Sequence, residues 1–145
     1  MKDLHSKLTL MQAVGAKALA ATAASAAIDL ADHDSAEIML GIGIGGITFT
    51  ATNKVEFIVT HSDDNSTYTA VTTDDILGAG AITGGIVKAL KAAHAAAASY
   101  RYGYIGGKRY VKVTPTFAGA HATATPIYCA VIAGDGRMNP QDDQA

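Results

Sequence analysis

The clearest alternation of apolar and polar positions runs through Val55-Glu56-Phe57-Ile58-Val59-Thr60-His61, where Val55, Phe57 and Val59 recur at period two. That spacing puts the three on one face of a β-strand, with the core beneath them. Glu37 to Ile44 is a more continuous apolar run and reads as a strand buried on one or both faces. Shorter extended pieces are expected at Ala27–Leu30, Ile47–Thr50 and Thr67–Val71. A longer last strand is expected over Thr125–Ile132. Tyr100, Tyr102 and Tyr104 alternate up to Gly106-Gly107, and Tyr110, Val111 and Val113 follow, so a strand–Gly-Gly–strand hairpin is predicted. Asp32–Ser35, Ser62–Ser66 and Gly78–Gly85 carry turn chemistry. Thr73–Leu77 predicts a short helical turn capped by Thr73 or Asp74. Ile86–Lys91 fits strand or helix, and Ala92–Ala98 reads as a surface loop with one helical turn.

These short strands, spaced near ten residues apart with Gly- or Asp-rich turns, predict an all-β chain. The expected fold is an antiparallel β-sandwich, jelly-roll-like, with an extended N-terminal arm. Residues 1–25 form the arm or an edge strand, 26–135 the sandwich, and 136–145 a polar tail that frays. The arm is assigned by default: its alanine-rich stretch carries no stripe of large side chains.

Composition supports this class. Val and Ile total 20 against 12 for Leu and Met, a β-branched balance that disfavours a helical bundle. The length of 145 residues suits one domain. A net charge of −2 gives no electrostatic reason to expect nucleic acid. No apolar run is long enough for a membrane span, and the N-terminal region does not read as a signal peptide, so a soluble chain made in a reducing compartment is expected. Cys129, the single cysteine, can form neither an internal disulfide nor a multi-Cys zinc site, and reads as a small buried apolar residue.

The candidate chemical motifs give way to structural readings. Gly41, Gly43 and Gly46 match the dinucleotide-binding spacing, but β-like Ile47–Thr50 follows where a helix must start. Asp63-Asp64-Asn65 lacks the glycine and glutamate of an EF-hand loop and reads as a turn. His5, His33, His61, His94 and His121 are scattered, and no nucleophile motif accompanies them. His61 is expected at a strand end in solvent. No catalytic residue, cofactor or metal ligand is assigned, and the chain is read as not an enzyme. The tyrosine run with Arg101, Lys108 and Arg109 is either a core ladder or a binding face. As a binding face it would favour a protein partner, because Tyr and Arg are enriched at interfaces.

Three segments carry a further signal: Ala27–Glu37, Lys54–Val71 with its His-Ser-Asp-Asp turn, and Tyr102–Val113 with Gly-Gly-Lys-Arg-Tyr. Together they resemble small virion structural proteins of tailed bacteriophages, of the capsid decoration (cement) type. The resemblance implies a homo-oligomer, with a trimer favoured and a dimer possible. It implies binding to the major capsid protein on the outside of the shell, after synthesis in a bacterial cytoplasm, with no nucleic acid and no membrane as partner. It suggests that the arm lies across a capsid subunit and adds a strand to it. Deleting residues 1–25 would then leave a folded domain. Candidate interface residues are Leu4, Leu8, Leu10, Met11, Val14, Tyr102, Tyr104 and Arg109. A tail or head–tail connector component and a carbohydrate-binding module stacking sugars on the tyrosines are the competing readings.

Overall fold

The computed structural model describes residues 3–138, 140 and 141. Its strands are β1 (Leu8–Leu19), β2 (Ile28–Asp29), β3 (His33–Ile42), β4 (Lys54–Ser62), β5 (Thr69–Ala70), β6 (Ile76–Leu77), β7 (Ile86–Leu90), β8 (Ala98–Tyr104), β9 (Tyr110–Ala118) and β10 (Thr125–Gly136). Single 3-10 turns occupy His5–Lys7 and Thr73–Asp75. Among the described residues no helix is long and apolar enough to cross a membrane.

Two antiparallel sheets pack face to face. One runs β1-β10-β3-β8-β6; the other runs β2-β9-β4-β5, with β7 also paired to β4. The pairings β1 with β10, β2 with β9, β3 with β8 and β4 with β7 are nested, the first partner always the earlier in the chain. A long two-stranded ribbon folded over on itself gives this order. It is the jelly-roll winding, so the expected fold class holds at the level of topology.

The core follows from period two on both sheets. Val55, Phe57 and Val59 of β4 and Val111 and Val113 of β9 are fully enclosed. They face Ile38 and Leu40 of β3 and Ile127, Cys129 and Val131 of β10. Each enclosed Val, Leu, Ile or Phe contributes about 1.5–3 kcal/mol of burial. Cys129 is among them, and burial alone pushes its thiol up to about 12.

Several expectations are corrected. The Gly106-Gly107 link is not a hairpin: β8 lies in one sheet and β9 in the other. Alternation shows which residues face inward, and Tyr102 and Tyr104 do face Val111 and Val113, but across the core rather than across a ladder. The N-terminal region is the edge strand of its two alternatives, since β1 pairs with β10 from Leu8↔Gly134 to Leu19↔Thr125. Register shifts between Gln12 and Val14 and between Val14 and Lys17 turn Ala13 and Val14 inward together. Those bulges erase the alternation that would have marked the strand. Ile47–Thr50 is irregular, although Phe49 is buried. The extended piece at Thr67–Val71 shrinks to Thr69–Ala70, and no helical turn forms over Ala92–Ala97. The 3-10 turn is entered from Thr72, whose backbone N–H and hydroxyl both donate to Asp75. Gly136, where the expected tail begins, belongs to β10. Gln141 donates its backbone N–H to the Ser6 carbonyl; most of the remaining tail lies outside the described residues.

Candidate interaction surface

The most elaborate side-chain arrangement lies where the chain crosses between sheets after β8. Tyr104 is buried, and its hydroxyl sits 3.0 Å from His61 Nδ1 at the end of β4. The same oxygen accepts the Lys108 backbone N–H at 3.0 Å. The Ile105 N–H donates to the Asp75 carbonyl, tying the crossover to the 3-10 turn. Gly106 fits only because it lacks a side chain. A Cβ there would lie 2.8 Å from the Tyr104 ring and 2.9 Å from both Asp75 Oδ1 and His61 Nδ1.

Burial lowers the His61 pKa, opposed by the Asp75 carboxylate and reinforced by the Lys108 ammonium. Desolvation likewise raises the Tyr104 phenol. The expectation of a solvent-exposed His61 is therefore wrong: at 6% exposure it is a sealed member of the crossover. Its sequence position at a strand end could not reveal that Tyr104 closes over it.

Outside this buried group lies a groove of about 760 Å³. Leu30, Ala36, Gly103 and Tyr104 line it, with Leu77 and Ile105 at its side. Those last two are 55% and 57% exposed. Ion pairs surround them. Arg109 grips both oxygens of Asp29 at 2.9 and 2.7 Å, which holds the Asp29 carboxyl below its ordinary value. Lys108 reaches Asp63, Arg137 reaches Asp34 and Arg101 reaches Glu37, each at 3.4 Å. The groove thus offers two exposed apolar side chains in a rim of balanced charge. That composition suits contact with another macromolecular surface.

The eight predicted interface residues separate on inspection. Arg109 lines the groove. Leu4 and Leu10 are exposed, and Leu8 and Met11 are half-buried, Met11 against the core. Val14, Tyr102 and Tyr104 are buried, Tyr104 at the wall of the groove. The alternation of Tyr102 and Tyr104 marks inward-facing strand positions, so these two are core residues rather than a binding face. Sequence reasoning missed Leu77 and Ile105, though it weighed Lys108 with the tyrosine run; an isoleucine directly after the alternating tyrosines was the available signal for an outward apolar residue.

The other motifs resolve into local structure. Asp64 Oδ1 accepts from Ser62 Oγ and from the Ser66 and Thr67 N–H groups, and the backbone donors bring its carboxyl down to about 2. This is turn chemistry, with Asn65 in the left-handed region at φ 56°. Gly46 packs against the Thr123 and Ala124 carbonyls and donates to Thr125 Oγ1 at 3.0 Å. No helix follows it. No cluster of three metal-ligating side chains occurs among the described residues.

No protein-family model matches this chain, and no curated protein does. A solved structure described as "Bacillus endospore appendages form a novel family of disulfide-linked pili" is similar over 92% of this chain and 95% of that one. The identity is 16% and the TM-score 0.33, a likeness too distant to carry an argument about function.

Proposed function

We propose that this chain is a decoration protein of a tailed-phage head, a structural subunit that binds the outside of the major capsid protein in many copies. The observation that favours a surface-acting role is the groove at the crossover, where Leu77 and Ile105 stand exposed inside a rim of paired charges. A jelly roll is compatible with shell proteins, but it hosts other work as well, so the site and not the fold carries the reading. The resemblance of Ala27–Glu37, Lys54–Val71 and Tyr102–Val113 to small virion proteins is the reason for choosing a capsid shell as the partner surface. Binding the assembled shell in preference to free subunits would stabilise it by mass action, and many copies would strengthen weak individual contacts.

The carbohydrate alternative loses its platform, because Tyr102 and Tyr104 lie inside the sandwich. The test is imaging of virions from a host producing either this chain or its Leu77→Asp/Ile105→Asp variant. Both side chains are exposed, so the variant keeps its fold. Copies distributed over the shell, reduced at least tenfold by the variant, support the proposal. Copies confined to one vertex support a connector instead, and particles lacking the chain overturn both.

A further inference from the structure

The outer faces of the two sheets differ in kind. On the sheet that holds β4 and β9, the outward positions include Lys54, Glu56, Thr60, Lys112, Thr114 and Thr116, an ordinary solvated face. On the other sheet, Cys129 and Val131 of β10 and Ile38 and Leu40 of β3 point inward. Period two therefore turns Tyr128, Ala130, Ile132 and Met39 outward. Leu10 of β1 pairs with Ile132 and is 45% exposed. Among the described residues no helix or third sheet lies over this face.

Charge stands at its borders. Arg101 on β8 is 83% exposed, and Lys17 on β1 is exposed as well. Glu37 shares the row of Ile132, but its carboxylate leans across Gly103 toward Arg101. An apolar centre inside a charged rim is the composition of a protein interface. The face also has relief. Leu10 and Ile132 form a raised pair toward one end. Toward the other, Ala16, Ala18, Gly41, Gly43, Pro126 and Tyr128 line an apolar hollow of about 370 Å³. Ala130 lies between, two residues along β10 from both Ile132 and Tyr128.

We infer that this face packs on the same face of a second copy, about a two-fold axis that crosses the strands above Ala130. The occupant follows from the relief: the raised pair and the hollow lie on the same strands, on opposite sides of Ala130. A two-fold there seats Leu10 and Ile132 of each copy over the hollow of the other, the reciprocal contact an isologous interface requires. Ala130 is small, so the sheets can approach to the ordinary ~10 Å of face-to-face packing, and flexible Met39 beside it fills what space remains. Arg101 can then meet Glu37 of either copy. The area suffices. Four strands by the eight-residue rise from Pro126 to Gly134 make about 19 Å by 27 Å, roughly 500 Å² in plan. Two copies together bury at least about 1,000 Å², the size at which a specific interface begins. The inference does not rest on the capsid reading.

Sedimentation equilibrium of the full chain tests it. The protein should follow a monomer–dimer curve with a Kd of about 1 to 100 µM. Leu10→Asp, at an exposed position of an edge strand, should weaken the dimer at least about tenfold by burying an unpaired charge. Gly41→Val is the sharper variant. Its Cβ would meet only Tyr128, at an ordinary 3.6 Å, so the fold is kept. It adds apolar surface but fills the hollow, and should weaken the dimer about fivefold or more; non-specific hydrophobic association would tighten instead. Thr114→Asp on the opposite sheet and the groove variant Leu77→Asp/Ile105→Asp should leave the Kd unchanged, which separates this interface from the groove. A chain monomeric up to about 1 mM, a trimer, a dimer tightened by Gly41→Val, or one abolished by Thr114→Asp or the groove variant overturns the inference.

Discussion

His61 shows how much one side chain depends on what covers it. Its Nδ1 lies 3.0 Å from the Tyr104 hydroxyl, and burial holds its pKa below the ordinary 6.5. In the unfolded chain the imidazole titrates near that ordinary value. As pH falls through it, the unfolded state takes up the proton first, so stability is lost between the ordinary value and the lower folded one, and the loss levels off below that. Above the ordinary value this group adds no pH dependence. The melting temperature should therefore be flat from about pH 8 to 7 and fall once the pH drops below about 6.5. A His61→Gln variant should lose most of that slope, although its melting temperature at pH 8 will be lower. Thermal unfolding at fixed ionic strength checks both. The paired carboxylates, such as Asp29 with Arg109, are held down and weaken the fold only at more acidic pH. Inward positions such as Val55, Phe57 and Cys129 were legible from the sequence because period two fixes a face. His61 was not, because its covering residue lies 43 positions along the chain.

At the scale of elements, the stretch from Thr22 to Asp29 does the work of a strand with hydroxyls. Ser25 and Thr22 take the N–H groups of Val113 and Phe117 where a regular ladder would use carbonyls. Ser25→Ala should cost about 1–2 kcal/mol, since it orphans a half-buried donor beside the fully buried Val113. Thr22→Val, beside the more exposed Phe117 N–H, should cost less. The double variant should also aggregate more readily, as an opened β9 edge invites strand addition. Urea unfolding gives the first effect and light scattering at high concentration the second. This stretch was unreadable because its residues are small and its contacts run through side-chain oxygens. The crossover at Gly106-Gly107 misled for another reason. Two alternating strands around a glycine pair fit a hairpin and a layer change equally well, and only the packing of Tyr104, His61 and Asp75 against Gly106 selects the latter.

For the whole molecule, the nested pairing makes the earliest strand depend on the last. β1 contributes the buried Ala13, Val14 and Leu19 and completes the edge of β10. Removing residues 1–25 should therefore unfold the protein and not merely free it from a partner. Val14 and Leu19 alone carry about 3–6 kcal/mol of burial against a typical stability of 5–15 kcal/mol. Circular dichroism of the truncated chain checks this; a native-like spectrum with a cooperative melt would refute it. Long-range pairing of this kind also predicts refolding in milliseconds to seconds, without a microsecond phase that carries the full amplitude. The fold class was legible from strand spacing and turn residues, but strand partners were not, because alternation names faces and not neighbours.

The pairing of Leu8 with Gly134 brings the two ends of the described chain together. A short glycine–serine bridge could join them, and a new opening within Gly78–Gly85, a glycine-rich loop between strands, would leave every ladder uncut. Such a permuted chain should fold to the same structure. For the same reason, cargo fused to either end should emerge at one corner of the protein, so both ends could be labelled on the same side.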